Sequence, residues 1–504
     1  MYSHENPRKN LLELLLEKFP YKHFRGEQEL ILKRVMAGKD TLALMPTGMG
    51  KSLCFQFPAK MLEGSPGHEL VLVISPLIAL MEDQVQKAQK LGISATHLSS
   101  TVSREDRESR QRRLGEGAFQ LFYVTPERFR KLEFIQAIQK RKVFLLAVDE
   151  AHCISQWGHD FRPDYSRLGE FRKTLGNPPV LALTATATPA VQKDILKQLE
   201  IEATGEIIFG GLERPNLELN VHDVYGLDEK IRAIIGLRHQ SPGSAIIYCS
   251  LIQTLKKVSE ELRRLGIDHL VYHGDLPGQD RNRNLKAFIS DQNALMVATP
   301  AFGLGIDKEN VRMLVHTEIP GSIESYYQEV GRAGRDGLPS QCHLLYDQDD
   351  VSIQMEFLKW SHPEAEFILK VYHLMHDNRG PLDQQGFDYL REQMSFKNRR
   401  DFRVESAVRI LERWSCVVAA QDKPFPFLTV REPTPEMFAA ENSPALLKAQ
   451  NQKLYDIVRF ATRVDLCRLL QVYEYFGYEG ATVCGHCDVC RKVPDINATK
   501  KGIE

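Results

Sequence analysis

"TLALMPTGMGKS", residues 41 to 52, joins an apolar run to a loop with two glycines and then to Lys51 and Ser52. An apolar strand, a glycine-rich turn and a helix-compatible stretch in that order make the first βα unit of a parallel sheet. Gly48 and Gly50 free the backbone to curl so that its N–H groups face a phosphate chain, and the following helix offers its positive end to the same anion. In this loop, which also holds Thr47, Lys51 reaches the β- and γ-phosphates and Ser52 supplies its hydroxyl to Mg²⁺. The longer form of the loop has Gly where Met45 stands, whereas the shorter P-T-G-x-G-K-S form is matched in full. Glycines that merely serve a turn are the alternative.

The same rhythm extends in both directions. From residue 25 to about 205, "TLALM", "LVLVIS", "LFYVT", "FLLAVDE" and "VLALTAT" are each a candidate buried parallel strand followed by helix or loop. From about 206 to 350 come "AIIYCS", "HLVYHG", "ALMVAT", "MLVHTE" and "HLLYD". Two such series predict two tandem parallel-sheet domains of α/β class, residues 1–205 and 206–350. "LLAVDEAH" sets Asp149 and Glu150 at the carboxyl end of a strand, where open α/β sheets bind ligands. Asp149 suits Mg²⁺, and Glu150 suits the orientation or deprotonation of an attacking water. A helix-capping acid pair is the plain alternative. In "EVGRAGRDG" (329–337), Arg332 and Arg335 are three apart and are expected on one helical face. They neutralise a γ-phosphoryl group only if the two domains close on the nucleotide; otherwise they are a solvated face.

Beyond residue 360 the pattern changes. "EAEFILKVYHLMH", "GFDYLREQM" and "VESAVRILERW" predict three amphipathic helices, and "CVVAA" with "FLTV" predicts a hairpin. Three helices and a hairpin, over 361–446, are the order of a winged-helix-like insert, with a linker expected at 431–446. Lys397, Arg399, Arg400, Arg403, Arg409 and Arg413 outnumber the acids near the third helix and form either a phosphate-facing patch or a solvated face. Phe425, between Pro424 and Pro426, is either a wedge at the hairpin tip or a turn anchor. A helical stretch at about 450–476 then leads into the last cysteines.

Nine cysteines, three of them as C-x-x-C-x-x-C, point to a reducing compartment and a metal site, not a disulfide framework. Cys467, expected on a helix, with Cys484, Cys487 and Cys490 closes a four-thiolate set within 447–495; Zn²⁺ and an iron–sulfur cluster both use such a set. His486 is a conceivable substitute ligand. The 504 residues exceed one core, and a formal net charge of -1 leaves any polyanion to local basic patches. The apolar start "LLELLLEKF" is broken by Glu13 and Glu17, which argues against a signal peptide, and no apolar run reaches the roughly 20 residues of a bilayer span. A cytoplasmic protein, nucleoid-associated if bacterial, is expected.

"DEAHCISQWGHDFRPDY" (149–165) adds an aromatic and basic run directly after the acid pair. Together with "YKHFRGEQ", "VLVISPLIALMEDQV", "FYVTPER", "LALTATATP", "LMVATPAFGLGIDKENV" and "SYYQEVGRAGRDG", it resembles the RecQ helicases of superfamily two across the first 350 residues. The resemblance implies that Tyr21 and Arg25 sandwich adenine while Gln28 pairs with its edge. Pro20 and Gly26-Glu27 depart from the family pattern at that loop. It implies that Thr184 and Thr186 link hydrolysis to domain movement. It also implies that the loop carrying Gln156, Trp157, His159, Phe161 and Arg162 touches single-stranded DNA and reports to the ATP site. Trp157, Phe161 and Tyr165 have the chemistry to stack on bases, Arg162 to hold a phosphate or Asp164, and His152 to bridge the halves. The resemblance favours zinc at the cysteines, although in the family the zinc module commonly follows the motor directly, with the winged helix after it. The expected activity is ATP- and Mg²⁺-dependent unwinding of duplex DNA, 3′ to 5′, in repair and recombination, by a monomer acting on single-stranded and duplex DNA. An RNA-remodelling ATPase and a DNA-binding scaffold with a non-unwinding ATPase are the alternatives.

Overall fold

Alternate residues of the first strands enter two different cores, and this sets the architecture. Leu42, Leu44, Leu70, Leu72 and Ile74 pack on one face, and Ala43, Met45, Val71 and Val73 on the other. A sheet buried on both faces needs helices on both sides, which is the arrangement of parallel βα units. The computed structural model describes residues 10–63, 69–76, 78–99, 102–155, 162–303, 308–394, 403–419, 425–441 and 443–492.

The first sheet contains β1 (Thr41–Leu44), β2 (Glu69–Ile74), β3 (Ala95–Leu98), β4 (Leu121–Val124), β5 (Lys142–Val148), β6 (Val180–Thr184) and β7 (Glu206–Phe209), in the order β3-β4-β2-β5-β6-β1-β7. Every pairing between them is parallel. The second contains β8 (Leu217–Asp223), β9 (Ser244–Tyr248), β10 (Leu270–Tyr272), β11 (Leu295–Ala298), β12 (Val311–His316) and β13 (Ser340–Tyr346), also parallel, in the order β10-β11-β9-β12-β13-β8. β3, β7 and β8 were not anticipated. All three are edge strands, and "ATHL", "EIIF" and "LELNVHD" lack the long apolar run of a central strand.

Two compact units divide the chain: Met1–Glu318, Ile323–Tyr346 and Phe460–Glu504 form one, and Ile319–Ser322 with Asp347–Arg459 form the other. In the second unit, helices Ala365–Asp377, Phe387–Met394 and Arg403–Arg413 surround a core that includes Ile368, Leu390, Val408 and Leu411. The hairpin β14 (Val417–Ala419) and β15 (Phe427–Thr429) is antiparallel. Phe425 is an anchor: it is buried, sits 5.3 Å from the Phe387 ring, and its carbonyl accepts from Arg379. The wedge reading is thereby overturned. Lys397, Arg399 and Arg400 lie outside the described residues.

The expected linker at 431–446 contains helix Pro435–Glu441 and the start of helix Pro444–Thr462. Proline opens each because its missing N–H costs nothing in a helix's first turn. The stretch expected as one helix at 450–476 is two, Pro444–Thr462 and Arg468–Phe476. Cys467 is the extended N-cap of the second and not part of its body. Among the described residues no helix is long and apolar enough to cross a membrane.

Candidate nucleotide cleft and metal centre

Sheet order explains why three distant segments meet. β5, β6 and β1 are consecutive neighbours, so the loops leaving their carboxyl ends converge. β1 delivers the glycine loop, with Gly48 at φ +87° and Gly50 at φ +77°, backbone that other residues adopt only with strain. A Cβ on Gly50 would stand 2.8 Å from the Gln28 amide nitrogen, so this glycine is required twice over. β5 delivers Asp149 and Glu150; Glu150 itself is left-handed at φ 49°, a strained conformation that aims its carboxylate back at the loop. Lys51 Nζ lies 3.8 Å from Glu150 Oε1. β6 delivers Thr184, whose hydroxyl shares a 3.0 Å hydrogen bond with His152 Nδ1. The same nitrogen is 3.4 Å from Glu150 Oε2, so buried His152 sits between the acid and the threonine. Thr184 in turn donates to the Thr186 carbonyl at 3.2 Å.

Burial, and then the neighbouring Glu150 carboxylate, push Asp149 up to about 6, while Lys51 pulls it down. A buried carboxylate with that tendency is relieved by a cation, and the oxygen set of Asp149 and Ser52 suits the hard ion Mg²⁺. Glu150 Oε2 is buried with no hydrogen-bond partner among the described residues, which leaves an acceptor for a water.

A cleft of about 540 Å³ has Lys51, Ser52, Asp149 and Glu150 on one wall and Arg332 and Arg335 on the other. Thr47, Tyr21, Arg25 and Gln28 are among the other residues that line it. Tyr21 and Arg25 are exposed, whereas the Gln28 amide is fully engaged: its oxygen accepts from Arg25 N at 2.8 Å and its nitrogen donates to the Met49 and Gly50 carbonyls at 2.9 and 3.0 Å. Pairing with an adenine edge requires some of these bonds to be exchanged. The arginines are not on a helix, contrary to expectation, because helix Ile323–Val330 ends before them and Gly334 turns at φ +55°. Arg332 is buried and donates to the Gly303 carbonyl.

After the acid pair, the expected base-stacking residue Tyr165 is instead core: it is fully buried, packed with Leu168 and Phe171. Asp164 is held by both arms of Arg130 at 2.7 and 2.9 Å and not by Arg162, which donates to the Pro76 carbonyl at 3.0 Å. Gln156, Trp157, His159 and Phe161 lie outside the described residues.

The sulfur atoms of Cys467, Cys484, Cys487 and Cys490 all lie within 4.8 Å of one another, with Cys467–Cys484 at 3.5 Å and Cys484–Cys490 at 3.9 Å. A tetrahedron with Zn–S bonds of ~2.3 Å has edges of ~3.8 Å, so the four thiols fit a closed zinc site. Cys467 at a helix N-cap also places thiolate charge against free N–H groups. His486 is not a ligand: its ring nitrogens bond the carbonyls of Cys484 at 2.6 Å and Leu217 at 3.0 Å, fastening the loop to β8. Arg468, which the sequence reading missed, is 1% exposed and makes a two-armed pair with Asp488 at 2.9 and 2.8 Å. It ties the helix after Cys467 to the first residue of the short helix Asp488–Lys492, which carries Cys490.

Residues 25–195 match the DEAD/DEAH box helicase family, 228–337 the helicase conserved C-terminal domain, and 433–491 the RecQ zinc-binding family. Over 355 residues the chain is 43% identical to the ATP-dependent DNA helicase RecQ of Bacillus subtilis, covering 70% of this chain and 59% of that one. The RecQ of Pasteurella multocida is 42% identical over 69% of this chain and 54% of its own length. A probable ATP-dependent DNA helicase RecS of Bacillus subtilis is 38% identical over 72% of each. The matches therefore span between half and three fifths of the two RecQ relatives. Two solved structures share the fold. S. cerevisiae Dbp5 bound to RNA and ADP BeF3 has a TM-score of 0.54 at 18% identity, over 69% of this chain and 90% of that one. Mycobacterium smegmatis helicase Lhr bound to ssDNA and AMP-PNP has 0.54 at 19%, over 88% and 61%.

Proposed function

The chain belongs to the RecQ family of superfamily-two helicases, and from that premise we propose that it is an ATP- and Mg²⁺-dependent DNA helicase moving 3′ to 5′ on one strand, in repair and recombination. The observation that carries the reading is the shared cleft: Lys51, Asp149 and Glu150 of one lobe face Arg332 and Arg335 of the other across a single cavity. A cavity walled by both lobes makes nucleotide state and lobe position interdependent.

In this reading Tyr21, Arg25 and Gln28 hold adenine, and the glycine loop and Lys51 hold the β- and γ-phosphates. Asp149 and Ser52 hold Mg²⁺, which when bound neutralises phosphate charge. Glu150 orients the water that attacks the γ-phosphorus and accepts its proton as the β–γ bridging bond breaks and ADP leaves. Arg332 and Arg335 stabilise charge on the transferring group. His152 and Thr184 carry the change at Glu150 towards Thr186. The loop with Gln156, Trp157, His159, Phe161 and Arg162 contacts single-stranded DNA.

Because β7 (Glu206–Phe209) pairs with β1, the first lobe runs past the expected boundary at 205. We assign residues 1–209 and 217–350 to the two lobes, 361–446 to a winged-helix-like insert and 447–495 to the zinc module, in a cytoplasmic monomer. The test is ATPase stimulation by single-stranded DNA against RNA, with strand displacement on a tailed duplex and Glu150→Gln as control. Unwinding lost in the variant and preferential DNA stimulation are expected. Preferential RNA stimulation without unwinding overturns the reading.

A further inference from the structure

The connector between the lobes contains a residue that the reaction has not yet used. It leaves β7 with Gly210 N donating to the Leu44 carbonyl at 2.8 Å and enters β8 with Leu217 N donating to the Arg214 carbonyl at 2.8 Å. Between these points Arg214 turns its guanidinium into the cleft region. Nη1 donates to the carbonyls of Thr47 at 2.8 Å and Gly331 at 3.3 Å, and Nη2 to those of Ala333 at 2.8 Å and Gly334 at 2.9 Å. One side chain thus binds the glycine loop of the first lobe and the arginine-bearing turn of the second.

We propose that Arg214 is a positioning residue for ATP hydrolysis, a strut that sets how far Arg332 and Arg335 stand from a γ-phosphate held by Lys51. The inference rests on the ATP-hydrolase reading above.

Three further observations support it. The two loops pack closely: a Cβ on Gly331 would stand 3.1 Å from Thr47 Cβ, and one on Gly48 would touch both Arg214 Nη1 and Arg335 Cγ at 3.5 Å. The turn is held a second time from the connector, by Asn216 Nδ2 donating to Gly334 and Leu338 at 2.8 and 2.9 Å. The connector is itself pinned at Leu212, whose N–H donates to Tyr473 Oη at 3.0 Å and whose carbonyl accepts from Tyr327. The strut is therefore fixed at its root and forked at its tip. A planar guanidinium spreads its donors over two terminal nitrogens in a fixed fork, one here reaching the Thr47 and Gly331 carbonyls and the other those of Ala333 and Gly334. The three donors of an ammonium all radiate from one nitrogen and cannot reproduce that span.

The experiment compares full-length parent, Arg214→Ala, Arg214→Lys and Lys51→Ala for DNA-stimulated ATPase and for equilibrium binding of a fluorescent ATP analogue. Because misplacement by about 1 Å costs on the order of 100-fold, Arg214→Ala should lower kcat about 10- to 100-fold. KM and analogue affinity should stay within about threefold of the parent. Lysine should restore little, and added guanidinium ion should partly rescue the alanine variant, a response that a loss of folding would not give. Equal zinc content and melting temperature check the fold, and if the alanine variant is unfolded the lysine variant bears the test. Alanine turnover within about twofold of the parent, or a loss confined to KM, overturns the proposal. A parent no more active than Lys51→Ala overturns the hydrolase reading itself, and the strut with it.

Discussion

The two parallel sheets and the zinc module solve the same problem with opposite materials. In the sheets, strand after strand is apolar and buried on both faces, and shape-tolerant hydrophobic burial does the holding. In residues 460–492 the fold turns on a few polar links: four thiols, the Arg468–Asp488 pair, His486 on the Leu217 carbonyl, and Arg491 donating to Asn220 at 2.6 Å. The first kind of structure loses stability by increments. The second depends on each member of the set.

The largest difference should appear on removing the metal. Structural zinc binding is worth about 10–16 kcal/mol in small modules, far beyond any single contact in the sheets. Cys484→Ser is expected to abolish zinc content and expose residues 460–492 to protease, while the far-UV signature of the two sheets remains. Coordinated loss of both sheets would break the comparison.

Next in size is Arg468→Met. It leaves Asp488 buried and unpaired, at an expected cost of about 3–5 kcal/mol, whereas replacing both partners by apolar residues should recover most of it. Urea denaturation of the single and double variants measures this. If the double variant is no better than the single, the pair holds more than its own charge.

These two regions also differ in how far the sequence discloses them. The central strands, the glycine loop and the Asp149–Glu150 pair are each coded within a dozen residues, so periodicity and local chemistry suffice to find them. The edge strands β3, β7 and β8 escape because their sequences lack an apolar run: β7 is largely exposed, while β3 and β8 bury polar residues such as Thr96, His97 and Asn220. Arg214, Arg130 and Arg468 escape for a different reason. Arg214 serves Gly334, 120 positions away, and Arg130 serves Asp164, 34 away, and nothing in a run of neighbouring residues names such a partner. Trp157 and Tyr165 belong to one aromatic stretch, yet only the structure tells that Tyr165 faces the core.

A polar link inside the second sheet offers a test of intermediate size. His343 on β13 is buried, shares a 3.0 Å hydrogen bond with His222 and has no partner for Nε2 among the described residues. Burial, with His222 beside it, lowers His343 to about 3. The unfolded chain takes up that proton near pH 6.5 and the fold does not, so this stability is complete above about pH 6.5 and is lost as pH falls towards 3. The slope is at most about 1.4 kcal/mol per pH unit. Urea midpoints at pH 7.5 and 5.0, with zinc content checked at both, should show His343→Leu with the shallower acid loss. Equal losses would place the proton uptake elsewhere.

The smallest effect separates the centre of a sheet from its edge. Ile246 on β9, between β11 and β12, is fully buried, whereas Ile207 on β7 is 41% exposed at the rim of the first sheet. Removing one methyl from a packed site costs its transfer energy and leaves a void, so Ile246→Val should lose about 0.5–1.5 kcal/mol. Ile207→Val keeps a β-branched side chain that water already reaches, and its change should stay within about 0.5 kcal/mol. Denaturation midpoints with unchanged slopes would report both. A difference in that direction ties stability to two-faced burial, the property that makes central strands legible as apolar runs. Equal costs would mean that the edge strands are held as tightly as the centre, and that their polar sequences conceal packing that burial alone does not register.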